Sequence, residues 1–166
     1  MMKDEVQIVE LPASRIVSFY GFGKEPENTA IGAMLEWASV HHYFEKNTGR
    51  CFGFNNPDPS PGSPNYGYEV WLTLPEDMKV EKPEPRAFEG GLYAVSHCEG
   101  NLESAGNFIP SAWKKLMEWL ENSAYQMGKH QWLEEQLCDE GVTLAQMYEN
   151  GRISLNLFMP IAGKVG

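Results

Sequence analysis

In the run YGYEVWLTL, from Tyr66 to Leu74, a carboxylate (Glu69) stands two residues from an indole (Trp71). Side chains of a strand alternate, so these two share one face while Tyr68, Val70 and Leu72 share the other. A carboxylate beside an aromatic ring suits a cation, which gains Coulomb attraction and a cation–π attraction of roughly 0.5–2 kcal/mol. The spacing recurs in SLNLFMPIA, where Ser154, Asn156 and Phe158 share a face and Ile153, Leu155, Leu157 and Met159 the opposite one. There an amide stands in the carboxylate's place; it donates as well as accepts hydrogen bonds, so a neutral polar group fits. On an open sheet face Glu69 would instead be solvated, and Trp71 would serve packing alone.

Other chemistry has less behind it. His41 and His42 are adjacent on a helical segment and point apart, and His97 beside Cys98 has no partner at ligand spacing, so no metal site is expected. No nucleophile elbow marks a Ser-His-Asp or Cys-His catalyst, and the glycines of GFG and GG are too sparse for a phosphate loop. No cofactor is expected.

The elements that must position these residues follow from periodicity. Strands are predicted from about Arg15 to Gly23, at Cys51 to Phe54, Tyr66 to Leu74, Phe88 to His97 and Ile153 to Ala162, all rich in β-branched and aromatic residues. A helix is predicted from about Thr29 to Phe44, behind the capping candidates Asn28 and Thr29; a second opens with Pro110 near its first turn and carries Trp113, Leu116, Met117 and Leu120 on one face. Shorter helices are predicted for His130 to Cys138 and Thr143 to Tyr148. MLEWASVHHY (Met34 to Tyr43) aligns with LMEWLENSAY (Leu116 to Tyr125), matching Glu36 with Glu118, Trp37 with Trp119 and Tyr43 with Tyr125. The unit strand, helix, strand, strand is therefore used twice, over about 5–78 and 80–162, within a single domain over 1–166. FNNPDPSPGSPN, with its four prolines, then falls inside the first repeat as a loop, either a pre-shaped rim or a tolerated insertion.

A chain of 166 residues is one ordinary domain burying roughly 70% of its unfolded surface, and 42% hydrophobic residues promise a packed core. Thirteen basic residues against twenty-three acidic ones give a net charge of −10, which disfavours direct nucleic-acid binding. Neither a signal-like start nor an apolar run of roughly 18 residues is present, so a cytoplasmic protein without a membrane partner is expected. Three scattered cysteines read as free thiols.

RIVSFYGFG, the NNPDP loop leading into YGYEVWLTLP, GGLYAVSHCEG, IPSAWKKLMEWLENSAY, QWLEEQL and the closing FMPIA, taken in order, resemble the GyrI-like small-molecule-binding family, which includes the effector-binding domains of AraC-type and BmrR-like multidrug regulators. The resemblance implies an α+β fold of two βαββ repeats. They would form a curved antiparallel sheet with two long helices on one face and a ligand pocket between the repeats on the other. It also implies a small hydrophobic ligand, lipophilic cations included, held by Glu69, Trp71, Asn156, Phe158, Tyr20 and Tyr93. Asn156 departs from the family, many of whose members carry a glutamate there. Two other functions stay open. One is a hydrolase of cyclopropanoid-type electrophilic toxins, with Glu69 and Tyr20 or Tyr93 handling protons; the other is a protein-interaction module such as a gyrase inhibitor. No helix-turn-helix stretch precedes the first strand, so work in transcription would need a protein partner; the oligomeric state is left open. Burial among aromatic rings is expected to raise the pKa of Glu69.

Overall fold

The alternation of YGYEVWLTL is realised as a strand over all nine residues. The computed structural model describes residues 5–46 and 49–163, so the first four residues of the N-terminal stretch lie outside it. In chain order the elements are β1 (Gln7–Leu11), β2 (Ser14–Gly23), α1 (Pro26–Val40), α2 (Tyr43–Lys46), β3 (Cys51–Asn55), β4 (Tyr66–Leu74), β5 (Arg86–Phe88) and β6 (Gly91–Asn101). After a short 3-10 turn follow α3 (Ala105–Glu121), β7 (Tyr125–Met127), β8 (Leu133–Gln136), α4 (Leu144–Glu149) and β9 (Arg152–Gly163). The class is α+β with antiparallel pairing, and the chain divides into two compact units.

Ala13–Glu89 form one unit, with strands in the order β3, β4, β2, β5. Cross-strand partners share a face, so the register Val17 with Leu72, Phe19 with Val70 and Gly21 with Tyr68 collects one apolar surface. Helix α1 covers it with Ala30, Ile31, Met34 and Ala38. Close approach needs Gly21, where a Cβ would fall 2.4 Å from the carbonyl oxygen of Pro26. The helix begins at Pro26 rather than at the expected Asn28 or Thr29, because the fixed φ of proline suits a first helical position and its missing N–H costs nothing there.

The other unit joins the described residues before Ala13 to those from Gly90 onward, with strands in the order β1, β6, β9, β8 and with β7 on β9. Its core unites Ala94, Leu155, Leu157, Met159 and Ile161 with Leu116 of α3, flanked by Trp113, Trp119 and Leu120. The aligned repeat residues keep their company: the rings of Trp37 and Tyr43 are 6.2 Å apart, and so are those of Trp119 and Tyr125.

Three expectations need correction. The first repeat does not start near residue 5, since β1 pairs with β6 and the unit proper begins at β2. Residues 133–136 are a strand rather than part of a helix: QWLEEQL is made of good helix formers, but Leu133 and Glu135 are buried in alternation and the segment hydrogen-bonds to β9. Pro110 lies inside α3 instead of in its first turn. Among the described residues no helix is long and apolar enough to cross a membrane, and Cys51, Cys98 and Cys138 form no disulfide.

Candidate functional site

On the face of the first unit opposite α1, the register sets Tyr20 and Phe54 on either side of Glu69, and Ser18 and Phe52 on either side of Trp71. Ile16 pairs with Arg86 across β2 and β5, which brings Arg86 to the same face. Side chains then converge on the buried Glu69 carboxylate. Its Oε2 accepts hydrogen bonds from Ser18 Oγ at 2.7 Å, Trp71 Nε1 at 2.6 Å and an Arg86 guanidinium nitrogen at 2.5 Å. Its Oε1 accepts one, from Asn56 Nδ2 at 3.2 Å, which leaves acceptor capacity on that oxygen.

Rings pack around Trp71, the indole that donates to this carboxylate. Phe54 meets Trp71 edge-on at 4.9 Å, Phe88 lies 5.2 Å from it, and the Arg86 guanidinium carbon stands 5.8 Å from the indole centroid. Burial alone pushes the Glu69 carboxyl up, as expected. The hydrogen bonds from Ser18, Trp71, Arg86 and Asn56 together outweigh it and hold the pKa below the ordinary value. The expected rise is thus reversed, because the aromatic strand also supplies an indole N–H and its neighbours supply three more donors. Glu69 is an ionised group.

The start of the proline loop borders this carboxylate through Asn56. Asn56 N–H donates to Gly67 O at 2.8 Å and Gly67 N–H to Pro57 O at 3.1 Å, tying the loop to the start of β4. Tyr20, half exposed, donates its hydroxyl to Asn56 O at 2.8 Å. A Cβ at position 67 would fall 1.9 Å from the Asn56 carbonyl oxygen, so glycine is required for this closure.

In the second unit the corresponding face differs. Asn156 Oδ1 lies 3.0 Å from His97 Nδ1, and its partner across β8 is Glu135, a buried carboxylate. An acid therefore stands one strand away from the position that carries the amide. Phe158, 1% exposed, packs against Tyr93 with ring centroids 5.5 Å apart. Tyr93 is itself fully buried and donates its hydroxyl to Gln131 O at 2.5 Å; burial drives its pKa far above the ordinary phenol value. Of the six predicted residues, Glu69, Trp71 and Tyr20 come together in the first unit, while Asn156, Phe158 and Tyr93 belong to the second. Ser18, Asn56 and Arg86 were missed, as was Glu135.

Each unit also holds a cavity that none of those six residues lines. One of about 440 Å³ lies at α3 and β6, walled by Phe108, Leu116, Trp119, Cys98 and Lys115. One of about 740 Å³ is bounded by Arg15, Tyr43, Arg50, Leu74 and Phe88.

Among the described residues no group of three or more His, Cys, Asp or Glu is placed to hold a metal ion. Residues 7–161 match the family Cass2, integron-associated effector binding proteins, and the chain belongs to it. Among curated proteins no sequence relative matches. Solved structures are similar in fold. The EcmrR C-terminal domain has a TM-score of 0.63 at 11% identity over 99% of this chain and 100% of that one. The EcmrR–DNA complex gives 0.62 at 10% identity over 99% of this chain, which spans 59% of the EcmrR chain. SAV2435 bound to tetraphenylphosphonium gives 0.56 at 14% identity over 96% and 94%. The family assigns this chain to the binding of a small-molecule effector.

Proposed function

We propose that the effector is a small lipophilic cation, of drug or toxin type, that the chain senses or sequesters on the Glu69 face of the first unit. The observation that carries this reading is an ionised, buried carboxylate bonded to the indole of Trp71, which packs against Phe54 and Phe88. Such a site offers charge and apolar area together, which a hydrated inorganic ion cannot exploit. The tetraphenylphosphonium of SAV2435 is a ligand of this chemistry on a similar fold. Less supports a hydrolase. A carboxylate accepting four hydrogen bonds is a poor general base, and the Tyr93 hydroxyl is committed to a carbonyl.

Calorimetric titration with tetraphenylphosphonium and with neutral triphenylphosphine oxide tests this reading. Glu69→Gln should weaken the cation at least about tenfold and leave the neutral compound within about twofold. Equal losses for both compounds would reduce Glu69 to a support for the shape of the site, and unchanged affinities would move the site elsewhere.

A further inference from the structure

Arg86 makes the same two contacts that the proposal assigns to a ligand cation: it pairs with Glu69 Oε2 at 2.5 Å and stands 5.8 Å from the Trp71 ring centroid. The other donors to Glu69 are differently held. Ser18 and Trp71 belong to the long strands β2 and β4, and Asn56 sits in a loop tied to β4. Arg86 comes from the three-residue strand β5 at the edge of its sheet, and its side chain is 54% exposed against 12% for Glu69. It is the donor most easily released.

We infer that Arg86 is a built-in competitor, a surrogate cation that occupies the subsite beside Glu69 and Trp71 and swings out to solvent when the ligand enters. The inference rests on the cation reading above. The exchange replaces one positive charge by another, so the buried carboxylate is never left uncompensated, the state that would cost most. It also sets a threshold for ligands. An intramolecular guanidinium is present at high effective concentration, and a ligand displaces it only by adding more apolar contact with Trp71, Phe54 and Phe88 than one guanidinium can offer. Compact, strongly hydrated cations such as ammonium or Na⁺ fall below that threshold. Delocalised cations bearing rings, of the phosphonium, amidinium or arylguanidinium class, exceed it.

Two probes test the inference separately from the function it rests on. Arg86→Gln should tighten tetraphenylphosphonium binding by about fivefold or more, the size expected for loss of a half-exposed ion pair, and Arg86→Lys should fall between the native protein and Arg86→Gln, because its compact, strongly hydrated ammonium is a weaker occupant of the subsite. In Arg86→Ala, millimolar methylguanidinium should raise the melting temperature while neutral N-methylurea does not, and the added change Glu69→Gln should remove the effect. A cation that binds the native protein through Glu69, but no more tightly to Arg86→Gln, would overturn the competitor and leave the proposed function standing. Methylguanidinium rescue without tetraphenylphosphonium binding to any variant would keep the cation subsite and overturn the lipophilic ligand. Failure of both probes would overturn both.

Discussion

Four donors converge on Glu69, so the site should behave as a permanent anion at neutral pH. Its pKa is depressed in the folded state, so its ionisation contributes stability that is present above the unfolded-state value of about 4.3 and lost as pH falls through the lower folded-state value. The melting-temperature gap between the native protein and Glu69→Gln should therefore be widest near neutrality and close only in acid. Cation binding at pH 7 should release no protons, which calorimetry in buffers of different ionisation enthalpy would check; proton release there would mean that the carboxyl is protonated in the free protein. The pairing of Glu69 with Trp71 was legible in the sequence because strand alternation is local. Ser18, Asn56 and Arg86 were not, since they lie 51, 13 and 17 positions from Glu69 and only strand register and a folded loop bring them in.

At the scale of elements, two glycines of the first unit should respond in opposite directions to the same substitution. Gly21→Ala drives a methyl group into the first turn of α1 and should destabilise by about 1–3 kcal/mol. Gly32 lies within α1, where an added Cβ would meet nothing within 4 Å, and Gly32→Ala should stabilise by up to about 1 kcal/mol through helix propensity. Denaturant unfolding of the two variants measures both; a neutral Gly21→Ala would mean that α1 does not approach β2 so closely. Periodicity located both long helices, and it located β4 to the residue. It failed at QWLEEQL, where the residues favour a helix and the decisive partner, β9, lies about 20 positions away. That error also hid Glu135, which a helical reading could not set beside Asn156.

For the molecule as a whole, the repeat was the most informative feature of the sequence, because two copies of one supersecondary unit predict matching sheets and helices without any knowledge of their partners. What it could not assign was the leading strand: β1 precedes the first repeat in the chain yet pairs with β6 of the second. A lipophilic cation is expected to bind at Glu69 and Trp71 and not in the cavities at α3 or near Tyr43. Anomalous diffraction from crystals containing tetraphenylarsonium locates the arsenic directly. A peak is expected within roughly 6 Å of the Trp71 ring, with the Arg86 side chain turned away from Glu69. A peak in the 440 Å³ cavity between Phe108 and Trp119, with the Arg86–Glu69 pair intact, would contradict it.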